Sequence, residues 1–376
     1  MVERKILFDG WSLVHQPLSP AAIHLLAVLD RLPEEAHAIL VLPGKTIHHL
    51  PGNLEIRVLP NEPGSAKQLL WEQWMLPRLA KKYEVNIVHL CSLSAALFQT
   101  CPTVFSAVGY PSNLYSTWLL KDVEAQARGV GVVERFRKAL AYGGLARVNG
   151  LIWPSDLPKS SDNLPVMFIP PFVHSKFTED DKPVHPPELD VLNLPEYFVL
   201  YHGPDRSADL ERLCESWRWA AGTIGSDFPL ILVGLNPQAQ QIMPALAVKI
   251  GIEKTIRILP YLSLESLVFL YRQCSALFHP ATVSPWGNSL RLALACAKPV
   301  VAPETPHTDA LIGPAGYLVP RVSANTALMR AFGAALISVV TNEELSEQLA
   351  SSARRRTTGW NLAYSQQCLL ELYRKF

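Results

Sequence analysis

The chain has 376 residues, 49% hydrophobic and 18% charged, and a formal net charge of +1. The length exceeds one ordinary α/β core and suits two domains of under about 200 residues each. The composition excludes a disordered chain, and the charge balance excludes an overall field that would recruit nucleic acid or an anionic membrane.

The opening residues Met1–Asp9 carry an acid within three positions and lack an apolar h-region, so they read as a first strand and not as a signal peptide. No apolar run is long enough to span a bilayer. Further strands are predicted at Ala38–Leu42, Leu54–Leu59, Ile87–Leu90, Thr103–Ala107, Gly150–Trp153 and Val166–Ile169. Helices are predicted between them at Ser19–Leu32, which opens on a cap followed by proline, at Ala66–Lys82, and at Val132–Arg147. The last is amphipathic and basic. Its face reads as solvated or as a contact for anionic lipid, so peripheral membrane contact is one expectation. His48-His49, the only adjacent histidine pair, reads as a solvated loop and not as a metal site.

Residues Thr178–Pro195 carry four prolines and a cluster of acids, which marks a linker. A second series follows. Strands are predicted at Tyr197–Tyr201, Leu230–Val233, Ile256–Leu259, Ala276–Phe278 and Pro299–Ala302. Helices are predicted at Leu210–Ala221, Pro237–Ile250, Leu264–Cys274, Ser289–Ala297, Thr326–Val340, Asn342–Arg356 and Trp360–Phe376. Alternating strands and helices argue for parallel α/β layers, and two such units imply a cleft between them. The six cysteines are scattered with no CxxC pair, which reads as buried thiols in a reducing cytoplasm.

The run Ile256–Val319 resembles the nucleotide-sugar domain of the retaining group-1 glycosyltransferases of GT-B fold. Ser263, Glu265, Leu267, Tyr271, Pro280, Gly287, Ala293, Ala295, Cys296, Pro299, Val300, Val301, Ala302, Gly313 and Gly316 fall in register with that family's pattern. Trp71–Leu79, Val88–Leu90, Ile169–Phe177 and Gly359-Trp360 resemble it too. The resemblance implies two Rossmann-like domains with an interdomain cleft: an acceptor-side domain over 1–177, a linker over 178–195, a donor-nucleotide domain over 196–359, and a C-terminal helix over 360–376 that crosses back.

It also implies transfer of a sugar, hexosyltransferase-like and metal-independent, from a nucleoside-diphosphate donor with no further cofactor. The implied donor-binding set is Gly203, Arg206, Ser284, Trp286, Gly287, Asn288, Ser289 and Glu304, with no catalytic residue assigned. Trp286–Ser289 opens a helix, whose N-terminal amides suit a diphosphate. An ordinary strand–loop–helix turn is the other reading. A β-branched residue at Gly287 is then expected to abolish nucleotide binding and leave the fold intact. Trp286 is a stacking candidate, whereas most of the other tryptophans read as packing. Glu304 and Asp309 read as cleft carboxylates or as solvated acids, and Arg354–Arg356 as a solvated helix end.

The family's side chains are largely replaced. Its two glutamates fall on Ser284 and Leu292, its Arg-Lys pair on Ser207 and Ala208 with Arg206 one position away, and its His-Asp on Val108-Gly109. Its glycine-rich phosphate loop falls on Leu18–Ala22. Restoring glutamates at 284 and 292 is expected to improve donor affinity if the helix keeps the family register. Two functions follow: a diverged glycosyltransferase acting on a glycan, lipid-linked or small-molecule acceptor, or a catalytically impaired pseudo-glycosyltransferase that acts as a scaffold and binds a partner enzyme such as a partner glycosyltransferase, a glycan or a nucleotide. A dinucleotide oxidoreductase is disfavoured because no G-x-G-x-x-G follows a strand.

Overall fold

Strands pair in parallel throughout two separate sheets. The computed structural model describes residues 4–32, 36–109, 131–156, 165–178, 185–281, 286–360 and 362–376. The first sheet contains β1 (Lys5–Asp9), β2 (His37–Leu42), β3 (Glu55–Val58), β4 (Ile87–Leu90), β5 (Thr103–Ser106), β6 (Gly150–Pro154) and β7 (Val166–Ile169), in the order β3-β2-β1-β4-β5-β6-β7. The second contains β8 (Val199–Tyr201), β9 (Leu230–Leu232), β10 (Ile256–Ile258), β11 (Ala276–Phe278), β12 (Val300–Pro303) and β13 (Gly316–Val319), in the order β10-β9-β8-β11-β12-β13. Runs such as His-Ala-Ile-Leu-Val-Leu in β2 are apolar on both faces because helices cover both sides of a parallel sheet.

The helices of the first unit are α1 (Trp11–His15), α2 (Pro20–Asp30), α3 (Ser65–Leu70), α4 (Leu76–Lys82) and α5 (Val132–Leu145). The single helix predicted over Ala66–Lys82 is broken by a π turn at Trp71–Met75, where the Leu76 amide donates to the Trp71 carbonyl. Pro77 follows at once, and its missing N–H removes one α-helical bond. The second unit contains α6 (Ser207–Ile224), α7 (Pro237–Ile250), α8 (Leu264–Gln273), α9 (Asn288–Ala295), α10 (Pro306–Ile312), α11 (Asn325–Thr341) and α12 (Glu343–Thr358). Side-chain oxygens of Asn236 and Ser263 cap α7 and α8. The helix α10 and the strand β13 were not among the predicted elements. The former is seven residues long and held by a Thr305–Thr308 capping box. Within the linker stretch, Pro187–Leu192 forms a 3₁₀ turn, and residues 179–184 lie outside the described residues.

The last helix, α13 (Leu362–Arg374), lies on the first sheet. The Tyr373 hydroxyl sits 2.7 Å from Nδ1 of buried His89, whose Nε2 is 2.9 Å from Ser106 Oγ. Burial pushes His89 down to about 3, so the ring is neutral and bonds a hydroxyl at each nitrogen. Cys91 is buried in the first unit, and Cys214 and Cys274 in the second, all as free thiols. Ala297, just after α9, holds a left-handed φ of 53°.

Two expectations need correction. His48 is not in a solvated loop: it is buried, and its Nε2 lies 2.7 Å from the Pro17 carbonyl. Arg356 is not a solvated helix end, since its guanidinium donates to the carbonyls of Leu311 and Ala310. Most of the remaining tryptophans are packed, with Trp71, Trp153 and Trp217 buried, whereas Trp74 and Trp219 are exposed and Trp118 lies outside the described residues. Among the described residues, no helix is long and apolar enough to cross a membrane.

Candidate functional site

In open parallel sheets, ligands bind outside the carboxyl ends of the strands, where the strand order reverses. In the second sheet that point lies between β8 and β11. The loops after β8, β11 and β12 carry Gly203 and Arg206, then Trp286–Ser289, then Glu304, so strand order alone brings most of the expected set to one edge. Ser284 lies outside the described residues.

The loop after β8 is held from inside. His202 is buried between the two units, with Nδ1 2.9 Å from the Tyr271 hydroxyl and Nε2 2.7 Å from the Leu18 carbonyl of the first unit. A carbonyl accepts only, so Nε2 carries the proton, and burial holds the ring neutral. Gly203 is required by packing, because a Cβ there would stand 2.7 Å from the Tyr201 ring. Arg206 precedes α6 and is largely exposed, but its Nε donates to buried Asp209 at 2.6 Å, so part of its charge is already met. Ser207 and Ala208 form the first turn of that helix and supply no cation.

The start of α9 differs from expectation at two residues. Trp286 is not available for stacking. It is 1% exposed and packs edge-on against His24 of the first unit, with centroids 4.3 Å apart, and against Phe172 at 5.4 Å. Gly287 has φ 60° and ψ 37°, and a Cβ would stand 2.6 Å from a Leu311 methyl. A side chain at 287 would therefore disturb the fold itself, contrary to the expectation that it would affect binding alone. The Asn288 amide donates to the Pro20 carbonyl, and its Oδ1 is buried without a partner among the described residues. Ser289 Oγ lies 3.5 Å from His279 Nδ1. No side chain among the described residues caps this helix, and first-turn amides have no acceptor within their own helix. Leu292 is buried in the apolar core, so a glutamate restored there would be desolvated and would not reach a ligand freely. Glu304 and Asp309 are exposed.

The facing edge of the first sheet ends β1 in Asp9. This buried carboxylate accepts from the Trp11 amide at 3.0 Å and from Trp71 Nε1 at 2.9 Å, and burial raises its pKa. Nearby Glu72 accepts from Arg137 at 2.7 Å and from Gln68 at 2.8 Å, and burial raises it to about 8. Val108-Gly109 closes the 3₁₀ turn after β5 and offers no titratable group. His24, His202, Asp9, Glu72 and Arg291 were missed as features of this region. They lie far apart in the chain, and only the parallel register collects them. The strand-end positions of Asp9 and His202 were the available signal.

Residues 194–356 match the family model described as glycosyl transferases group 1. No curated protein sequence matches the chain. Among solved structures, the chain resembles WaaG, a glycosyltransferase involved in lipopolysaccharide biosynthesis, with 15% identity, a TM-score of 0.68, and coverage of 98% of this chain and 99% of that one. It resembles sucrose-phosphate synthase from Thermosynechococcus elongatus with 16% identity, a TM-score of 0.71, and coverage of 99% and 98%. It also resembles Anabaena HepE in complex with UDP and glucose, with 16% identity, a TM-score of 0.64, and coverage of 99% and 100%.

Proposed function

From a chain whose residues 194–356 match the group-1 glycosyltransferase family model and whose described residues take the GT-B fold, we propose a glycosyltransferase that uses a nucleoside-diphosphate sugar. The observation that carries this reading is the start of α9. It is a helix end that no described side chain caps, set at the switch point of the second sheet and directed at the first unit. An anion is favoured there by the amides and by the positive end of the helix. Gly203 and Arg206 follow β8, Glu304 follows β12, Asn288 and Ser289 open α9 itself, and Arg206 is the side-chain cation of this set. The unit boundaries that go with this reading are 1–177, 178–195, 196–359 and 360–376. The acceptor is taken by the first unit, and transfer proceeds with retention, needs no metal, and takes place in the cytoplasm.

Donor affinity is expected to be weak, because backbone amides and one half-engaged arginine stand where the family pattern has two carboxylates and a basic pair. Each lost charge-assisted bond costs about 1.5–3 kcal/mol. The burial of Leu292 favours a second reading, a binding partner without turnover. Thermal shift and calorimetry against UDP, GDP, ADP and their sugar conjugates test both. Selective stabilisation by one sugar nucleotide, with transfer whose product anomer is read by NMR, supports the enzyme. No shift with any of the panel refutes the donor site.

A further inference from the structure

Arg291 has no exposed surface, yet it carries a permanent charge. A buried guanidinium persists only where its donors are met. Its Nη1 and Nη2 donate to the two Asp156 oxygens at 2.8 Å each, as a bidentate fork, and its Nε donates to the Trp286 carbonyl at 2.6 Å. The guanidinium carbon lies 6.0 Å from the Trp286 ring centroid and 5.8 Å from that of Trp360.

These partners come from separate parts of the molecule. Asp156 follows β6 in the first unit, Trp286 leads into α9, and Trp360 stands where the chain leaves α12 for α13. The Trp286 carbonyl belongs to the peptide plane shared with Gly287, so fixing that oxygen fixes the direction of the Gly287 amide.

We propose that Arg291 is a positioning residue for the donor: it holds the peptide leading into α9, and it does so only while Asp156 of the first unit occupies its fork. The inference rests on the reading of α9 as the diphosphate site. It makes the donor turn respond to a carboxylate of the other unit that touches no donor atom. A lysine cannot replace Arg291, since one ammonium cannot span a carboxylate fork and a carbonyl in this geometry.

The test uses the full chain with Asp156→Asn and Arg291→Lys. Asp156 is partly exposed, which makes its substitution the milder one. Hydrogen exchange at the amides of 287–290 is measured without ligand, and UDP affinity is measured by calorimetry. Both variants are expected to raise exchange at 287–290 and to weaken UDP binding by about tenfold or more, with exchange in β8, β9 and β11 unchanged. Unchanged exchange at 287–290, or unaltered UDP affinity in a folded variant, would overturn the proposal and leave Arg291 a plain cross-link. If the unaltered protein binds neither UDP nor any other nucleotide, the donor reading fails, while the exchange experiment still decides whether 287–290 responds to Asp156. Should Asp156→Asn not fold, Asp156→Glu keeps the charge and shifts the fork by one methylene, with the same readouts.

Discussion

Two helix starts meet between the units, and they are built in opposite ways. Helix α2 opens on Ser19, whose Oγ accepts from the Ala22 amide at 3.3 Å, with Pro20 at the first position. It has dealt with its own orphan donors, and it stands where the family pattern has a glycine-rich phosphate loop. Helix α9 opens on a left-handed Gly287 with no side-chain cap among the described residues. The two touch through the Asn288 amide and the Pro20 carbonyl. The start of α2 is capped by its own serine and packed, whereas the start of α9 has no side-chain cap among the described residues.

The comparison can be broken most forcefully at Gly287. A valine there must adopt a left-handed backbone, at about 1–2 kcal/mol, and displace Leu311, at about 1–3 kcal/mol more. Urea denaturation should therefore show Gly287→Val destabilised by about 2–5 kcal/mol. Near-native stability with nucleotide binding lost would mean that the ligand, not Leu311, demands glycine.

Acidification probes the contact itself. His24 and His202 both lie at the junction of the units, and burial depresses both pKa values in the fold. The unfolded chain therefore takes up protons first. Stability is full above about pH 6.5 and falls below it by about 1.4 kcal/mol per pH unit for each such histidine, until its folded pKa is reached. Groups facing His24 include His89, Phe172, Trp286 and Arg291, none of which supplies a negative charge. His24→Leu should flatten the dependence of Tm on pH between about 6.5 and 4.5. An unchanged slope would show that the fold accommodates a charged ring.

The smallest effect sharpens the contrast. Ser19→Ala should cost about 1 kcal/mol of stability through the lost cap and leave UDP affinity unaltered. A change in UDP affinity would mean that the start of α2 takes part in binding after all.

Much of the architecture was legible because period and punctuation agree. Ser19-Pro20 and Asn236-Pro237 begin helices, and the apolar runs of β1, β2 and β4 form the centre of the first sheet. Short elements were not legible: Pro306–Ile312 is less than two turns and is set by a local threonine box, too brief for periodicity to register. At the candidate site, the motif marks the turn at Trp286–Ser289 but not what its residues face. The motif gives no sign that Trp286 faces His24 or that Gly287 faces Leu311. No local motif marks Arg291 as part of the site. Its carboxylate partner lies 135 residues earlier in the chain, and no local pattern could join them.

The buried thiols have a practical consequence. Burial pushes Cys91 up in the first unit, and Cys214 and Cys274 to about 12 in the second. Only the thiolate reacts, so in the intact fold an alkylating reagent meets almost nothing to attack at these positions. Modification then counts excursions in which a given unit has come apart, and the three positions are separable by peptide mass. Labelling at Cys91 against that at Cys214 and Cys274 therefore tells whether the two halves open together or each on its own clock.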